Sequence, residues 1–263
     1  RREILETGML DREIGVEFRA VARAWGVDRA EWAVWNVLAP LDEVRAAIAP
    51  EPHVHLMLIN TARDVVISGD AEACRRLVDE LGSQRCRPVG YNLACHVPEV
   101  AAEFHEEWLG VHTREVTPPD GVRIYSNGVN GSYEPSAEAC AEAITAQAET
   151  TVDFPATIRA AYDDGVRIFV EHGPSGACSN FIGEILGDHD IVAVHLDRRE
   201  RDIEQIFEVC ADLVAAGVDV DHAALTARLE MGRGELAAPE GPRSEEHTSE
   251  LQSHSDLVCR LLL

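Results

Sequence analysis

Lysine is absent from this chain, so arginine supplies all 23 of its Lys and Arg positions, against 47 Asp and Glu, and the formal net charge is -24. A charge this negative repels nucleic acid and anionic membrane surfaces, so neither is expected as a partner. The sequence also has no apolar run near the roughly 20 residues of a membrane-spanning helix and no charged-then-apolar leader. We therefore expect a soluble, cytoplasmic protein.

Cysteine pairs at metal-binding or redox spacing are missing too. The seven cysteines form no CxxC pair and no Cys/His cluster at zinc spacing. His53 and His55 likewise have no cysteine or carboxylate at ligand spacing, and we place both histidines at an edge of a small sheet. We expect reduced thiols that act as small buried hydrophobes, with no bound metal and no bound cofactor.

Two types of pattern divide the chain into regions. Apolar residues at three- and four-residue steps predict a helix over 3–25. The next region reads strand, helix, strand, strand, helix, strand, which is the order of a ferredoxin-like unit with both helices on one face of an antiparallel sheet. Its predicted elements are strands at 32–38, 55–59, 65–68 and 87–93 and helices at 41–48 and 71–81.

Downstream of residue 98, helices alternate with short apolar strands. Segments such as IFV and IVAV are continuously apolar, which is typical of parallel strands covered on both faces. The fold class is therefore α/β, with a small inserted subdomain. The predicted strands are 122–126, 167–170 and 191–196, and the predicted helices are 100–109, 137–148, 154–163, 178–186 and 202–216.

The two ends of the sequence are unusual. Residue 1 is arginine and lies inside the first predicted helix, so we expect the chain to continue upstream. The segment 243–263 resembles a translated sequencing adapter, because the composition shifts abruptly to Ser, His and Glu after the sequence APEGP. We exclude this tail from the fold and expect the domain to end near Pro242.

The stretch YNLACHVPEV (Tyr91–Val100) is the first candidate for a site. It reads as an apolar strand that leads into His96 and then into a proline that turns the chain. A histidine at a strand exit is held by the scaffold while its ring faces a cleft, which is how a general base is mounted. The same pattern fits a hydrogen-bonded structural histidine, so both roles stay open.

Four segments resemble the acyltransferase domains of malonyl-CoA:acyl-carrier-protein transacylases and of modular fatty acid and polyketide synthases. Within that family, WAVWNVLAP and YDDGVRIFVE are most similar to synthases of polyunsaturated fatty acids and heterocyst glycolipids. The resemblance spans about residues 32 to 215. The four segments, in order, are LINTARDVVISGD, ACHVPEV, ITAQAETTVDF and RIFVEHGPSGACSNFI.

The resemblance implies a domain plan. It implies an incomplete α/β-hydrolase-like large subdomain that carries the inserted ferredoxin-like small subdomain. We expect a helical end of the large subdomain at 1–31, the small subdomain at 32–95, the C-terminal part of the large subdomain at 96–242 and the artefact tail at 243–263.

The resemblance also implies roles for particular residues. In this family a serine at a strand-to-helix elbow attacks an acyl thioester, and a histidine takes and returns the proton. His96 matches that histidine. Gln147 matches the residue that accepts from the other ring nitrogen, although a solvated polar residue would fit its position as well. Asn60 matches a substrate-binding position and is equally typical of a turn residue.

The serine elbow, glycine-histidine-serine-any-glycine, does not occur in the sequence. Ser175 lies in GPSGA, which lacks the final glycine and matches a structural turn of the family, so it is a poor candidate nucleophile. An arginine that clamps a malonyl carboxylate should follow the missing serine. Arg2 or Arg19 could fill that role, and the acyl specificity stays open.

The resemblance thus implies an acyltransferase that moves an acyl group, most simply malonyl, from coenzyme A to the phosphopantetheine thiol of an acyl carrier protein. Without the serine we expect this fragment to be inactive alone. Expected partners are the carrier protein, for which the arginines in 197–202 offer a local patch, and neighbouring synthase domains such as a ketosynthase. The alternatives are a non-catalytic carrier-docking or scaffold module and a serine-type thioester hydrolase.

Overall fold

The computed structural model describes residues 16–90, 93–197, 203–224 and 226–227. These residues form two compact units, which divide after Gly165. In chain order the elements are α1 (Val16–Trp25), β1 (Trp32–Val37), α2 (Leu41–Ile48), β2 (Val54–Ile59), β3 (Val65–Asp70), α3 (Ala71–Leu81), a 3-10 turn (Ser83–Arg85), β4 (Cys86–Pro88), α4 (Pro98–His112), β5 (Ile124–Ser126), β6 (Gly131–Tyr133), α5 (Ala137–Glu149), β7 (Val152–Asp153), α6 (Phe154–Asp163), β8 (Ile168–Glu171), α7 (Ala177–Leu186), β9 (Val192–His195) and α8 (Ile203–Ala215).

A five-stranded sheet organises the first unit, with strand order β4-β1-β3-β2-β7. Neighbouring strands among β4, β1, β3 and β2 pair antiparallel, and β7 pairs with β2 in parallel. These strands are rich in Val, Ile and Trp, whose bulky side chains favour a pleated, half-buried surface. The predicted order of strands and helices between residues 32 and 88 is therefore the order observed.

Helices α2 and α3 cover this sheet and enclose its core. Asp70 begins α3 by accepting a hydrogen bond from the Ala73 N–H at 2.9 Å, which satisfies one of the free donors of the first turn. The buried residues of α3 recur at three- and four-residue steps and face the sheet. The core includes Val37, Val44, Ile67, Cys74, Leu77 and Val78.

The last strand of this region is shorter than predicted. β4 ends at Pro88, and the described residues after it, 89–90 and 93–97, contain no strand. One further ladder bond follows Pro88, from the Val89 N–H to the Val34 carbonyl at 3.0 Å. Pro98 takes the first position of α4, where its fixed φ favours the helix and its missing N–H costs nothing. The prediction that His96 leaves a strand is therefore wrong, because it lies in an irregular segment that leads into a helix.

The rest of the first unit contains α4, α5, α6 and a small hairpin. The predicted strand at 122–126 is present as β5, but it pairs antiparallel with β6 and so does not join a parallel sheet. Neither β6 nor β7 was predicted from the sequence. Each is only three or two residues long, too short for an alternating pattern to show.

In the second unit, β8 and β9 pair in parallel from Ile168↔Val192 to Glu171↔His195. The parallel pairing predicted from the apolar segments is therefore observed. Helices α7 and α8 belong to the same unit. Glu171 is buried and accepts hydrogen bonds from the backbone N–H and the hydroxyl of Ser179, at 2.7 and 2.8 Å, which ties β8 to the first turn of α7.

Candidate active site

His96 has a left-handed backbone, with φ of 58°. For a residue with a Cβ this conformation costs on the order of 1–2 kcal/mol, so the surroundings must hold it. Its N–H donates to the carbonyl of Ala148 at 2.7 Å, and the next residue, Val97, is fully buried. The backbone of residue 96 is thereby fixed against the end of α5.

The imidazole is oriented by the chain of Gln147. Nδ1 lies 2.5 Å from the main-chain carbonyl oxygen of Gln147. A carbonyl can only accept, so Nδ1 carries the proton and Nε2 of the neutral ring keeps its lone pair. The structure thus brings together the two residues that the resemblance pairs. Because the acceptor is a backbone atom, the contact does not depend on the Gln147 side chain.

The surroundings of His96 differ from an open cleft. The residue is only 7% exposed. Burial lowers the pKa of His96, and the hydrogen bond to the Gln147 carbonyl opposes that shift. A lowered pKa keeps the ring neutral near pH 7, which is the form that a general base requires. The expected placement of the ring beside an open cleft is not seen in the described residues.

A close backbone contact fixes the helix that carries Gln147. Helix α5 begins with Ser136, whose hydroxyl accepts from the Ala139 N–H at 3.1 Å. A Cβ on Gly128 would lie 2.0 Å from the Ala143 carbonyl oxygen and 3.1 Å from the Gln147 nitrogen. Only glycine therefore allows the loop after β5 to approach α5 this closely.

Asn127, beside that glycine, was not selected from the sequence. It is 4% exposed, and its Oδ1 has no hydrogen-bond partner among the described residues. The segment SNG reads as an ordinary turn, and sequence alone gives no sign that it lies against the helix of Gln147.

Asn60 closes the turn between β2 and β3. Its side-chain amide donates to Oδ1 of Asp64 at 2.9 Å, and its N–H donates to the Asp64 carbonyl at 2.9 Å. Asn36 donates to the same carboxylate oxygen at 2.7 Å. These hydrogen bonds are those of a turn residue, and the substrate-binding role of Asn60 stays a prediction.

The other candidates are dispersed. Arg2 lies outside the described residues, as do the arginines of the predicted carrier patch. Arg19 lines a surface pocket of about 230 Å³ with Phe18, Ala22 and residues 28–32. Ser175 is exposed in the turn before α7, with φ of 76°.

One carboxylate close to His96 in sequence has partners that the sequence did not reveal. Glu99 Oε1 accepts from Nε1 of Trp25 at 2.8 Å and lies 2.9 Å from Nε2 of His55. The sequence showed no cysteine or carboxylate at ligand spacing from His55, and the structure supplies its carboxylate partner, Glu99, from 44 residues away.

Protonation of Glu99 should weaken the fold in acid. Burial alone would raise the pKa of Glu99, but the hydrogen bonds from His55 and Trp25 outweigh it and bring the pKa to about 2. A carboxylate whose pKa falls on folding stabilises the protein above its unfolded pKa, and this contribution disappears as the pH falls through the folded value.

We therefore expect the pH dependence of stability between about pH 4.5 and 2 to be smaller in Glu99→Gln than in the parent, by up to roughly 3 kcal/mol. Urea unfolding at a series of pH values measures this. Glu43→Gln is the control, since its pair with Arg85 lies at the surface. Equal pH profiles for the parent and Glu99→Gln would contradict the expectation.

The described residues were also compared with the requirements of metal sites, membrane spans and reactive thiols. Residues 16–90, 93–197, 203–224 and 226–227 hold no group of three or more side chains suited to a metal ion. No helix in those ranges is both long and apolar enough to span a bilayer.

Burial raises the pKa of the Cys74 and Cys178 thiols to about 12, as expected for cysteines that act as hydrophobes.

Comparison with known proteins gives relatives of one type, although no family model matches the chain. It is 27% identical over 202 residues to a polyunsaturated fatty acid synthase polypeptide of Thraustochytrium, an alignment that covers 71% of this chain and 10% of that polypeptide. It is 30% identical over 164 residues to the polyketide synthase GfsE of Streptomyces halstedii, covering 60% of this chain and 4% of the synthase. The chain thus spans a tenth or less of these relatives.

Solved structures share the fold. The acyltransferase domain from the second module of the salinomycin polyketide synthase matches with a TM-score of 0.62 and 24% identity, over 85% of this chain and 52% of that domain. Malonyl-CoA:acyl-carrier-protein transacylase from Clostridium perfringens matches with a TM-score of 0.58 and 18% identity, over 71% of this chain and 58% of that enzyme. The resemblance seen in the motifs is therefore confirmed: this mixed α/β chain is homologous to polyketide and polyunsaturated fatty acid synthases and has the fold of acyltransferase domains and malonyl-CoA:acyl-carrier-protein transacylases.

Proposed function

We propose that this chain supplies the general base of an acyltransferase that moves an acyl group, malonyl in the simplest case, from coenzyme A to the phosphopantetheine thiol of an acyl carrier protein. One observation carries the proposal: Nδ1 of His96 lies 2.5 Å from the Gln147 carbonyl, which leaves Nε2 as the basic nitrogen. The lowered pKa of His96 supports the same role, because the ring is neutral at the pH of the reaction.

The chemistry needs a hydroxyl as well as this base. A serine hydroxyl attacks the thioester carbonyl while Nε2 of His96 takes its proton. The C–S bond then breaks, and the imidazolium returns the proton to the departing coenzyme A thiolate. In the second half, the carrier thiol gives its proton to His96 and attacks the acyl-serine, and the serine oxygen recovers that proton. No serine elbow occurs in this sequence, so we place the serine on a segment beyond these 263 residues.

The finer domain plan is part of the proposal. The antiparallel strand order β4-β1-β3-β2 is the order of a ferredoxin-like small subdomain, which supports that assignment for residues 32–95. The parallel β8–β9 pair is consistent with a piece of an α/β-hydrolase-like sheet. Substrate-binding roles for Asn60 and Arg2 and docking of a carrier protein or a ketosynthase remain predictions.

Transfer of radiolabelled malonyl from coenzyme A to a carrier protein tests the proposal. The chain is assayed alone and together with the part of the salinomycin acyltransferase domain that it does not match. We expect that part to carry the serine. We expect no transfer by either polypeptide alone and measurable transfer by the pair. Transfer by this chain alone would contradict the assignment of the serine to another segment.

A carrier-docking scaffold is the second candidate, and the 7% exposure of His96 together with the missing serine elbow favours it. If the chain is a scaffold, the immobilised chain should retain labelled carrier protein on a column, while the reconstituted pair should transfer no malonyl group. Because the two polypeptides could fail to associate, a covalent fusion of this chain with the unmatched part of the salinomycin domain is assayed as well. Transfer by the fusion that requires His96 would exclude the scaffold.

A further inference from the structure

The Glu99 carboxylate joins three elements of the first unit at one point. Glu99 lies in the first turn of α4, three residues after His96. Its Oε1 accepts from Trp25 at the end of α1, 74 residues away, and lies 2.9 Å from His55 on β2. Chain segments distant in sequence thus converge on the residue that begins the helix after His96.

These contacts are shielded from water. The side chains of His55 and Glu99 are 19% and 11% exposed. Trp25 stacks on Trp32 with ring centroids 5.7 Å apart, and the centroid of the His53 ring lies 4.5 Å from that of Trp25. The Glu99 carboxylate is part-buried and accepts both hydrogen bonds on Oε1, so moving it would leave the Trp25 and His55 nitrogens without this acceptor.

A second bond supports the same face of α4. One turn after Glu99, Glu103 pairs with Arg23 of α1. The charged or titratable partners of α4 are thus His55 from β2 and Arg23 from α1 at this end, and Glu149 from α5, which pairs with His105 further along the helix. Of Glu99 and Glu103, Glu99 is the more shielded and the closer in sequence to His96.

We propose that Glu99 and His55 are positioning residues, which fix the first turn of α4 and thereby hold the His96 imidazole on the Gln147 carbonyl. The connection between them is short and stiff, because Val97 is fully buried and Pro98 has a fixed φ. His96 itself has a left-handed backbone that would relax if the turn moved. The proposal rests on the proposed function only in naming His96 as the base.

Histidine NMR on the full chain tests the positioning role. The ring nitrogens are labelled with ¹⁵N, His96 is assigned by the signal lost in His96→Asn, and the parent is compared with Glu99→Gln and His55→Gln. We expect the pKa of His96 to rise toward the ordinary histidine value in both variants, because the water that the ring gains raises the pKa by more than the loss of the Gln147 hydrogen bond lowers it. Exchange of its Nδ1 proton should quicken about tenfold or more.

A change in Nδ1 proton exchange separates positioning from simple electrostatics, since loss of the Gln147 hydrogen bond and loss of a nearby anion both lower the pKa of His96. Loss of the Glu99 negative charge, with no movement, would lower the pKa of His96, since a nearby anion favours the imidazolium. Asn36→Ala is the matched control, because it removes two half-buried hydrogen bonds from the same sheet, to Asp64 and to the Val65 carbonyl, neither of which involves α4. We expect this control to leave both His96 signals unchanged.

Unchanged His96 signals in folded Glu99→Gln and His55→Gln would overturn the proposal, and so would an equal change in Asn36→Ala. If Glu99→Gln does not fold, Trp25→Phe removes one donor to the carboxylate and keeps the aromatic ring, and a smaller shift of the same sign is then expected. No shift in Trp25→Phe and His55→Gln would equally overturn it. The measurement needs no acyl transfer, so its failure is distinct from failure of the proposed function.

Discussion

His96→Ala should lower acyl transfer by the reconstituted or fused protein about 10²- to 10⁴-fold, the usual contribution of a positioned general base. The reason is the geometry at Nδ1, where the bond to the Gln147 carbonyl leaves Nε2 free to take a proton. Steady-state transfer of radiolabelled malonyl to the carrier protein measures the loss.

Gln147→Ala is the informative companion to this variant. It keeps the main-chain carbonyl that receives the His96 proton, so we expect transfer within about tenfold of the parent once the folded fraction is measured. An equal loss in both variants would mean that the amide side chain, and not the carbonyl, orients the ring. Full activity of His96→Ala would remove the general-base assignment altogether.

The pH dependence of acyl transfer should follow the titration of the His96 imidazole. Burial lowers the pKa of His96, so the ring loses its proton at a lower pH than an ordinary histidine does. Transfer should therefore rise as the pH increases through this lowered value and be nearly constant above it.

Gly128→Ala should destabilise the first unit by about 3 kcal/mol, near the upper end of the usual cost of overpacking. The new methyl group would lie 2.0 Å from the Ala143 carbonyl oxygen, a backbone atom that can move only if helix α5 moves. Because α5 also carries the Gln147 carbonyl, we expect the His96 resonance to change in the folded fraction. Urea unfolding and the histidine spectrum measure the two effects.

Gly131→Ala is the control from the same hairpin. Its added Cβ would meet the Ala160 Cβ at 3.8 Å, an ordinary contact, so we expect a change within about 0.5 kcal/mol. Similar unfolding midpoints for the two variants would show that the loop does not need glycine at position 128.

Much of the fold follows from local pattern. Helices α3, α5 and α6 and strands β8 and β9 were predicted within one or two residues of their bounds, because apolar periodicity and residues such as Asp70 and Ser136 mark them locally. β6 and β7 were missed because strands this short have pairing partners but no periodicity. The strand expected at 87–93 is present as β4 but ends at Pro88, so it does not lead into His96.

The sequence alone determined the strongly acidic charge, the likeness to acyltransferase domains, the absence of a serine elbow and the pairing of positions 96 and 147 implied by that likeness. Only the tertiary structure decided that the contact with Gln147 uses a backbone carbonyl, that His96 is buried, and that Glu99 meets His55 and Trp25. The physical reason is that periodicity reports which face of an element is apolar. Contacts between atoms far apart in the chain depend instead on how those elements pack.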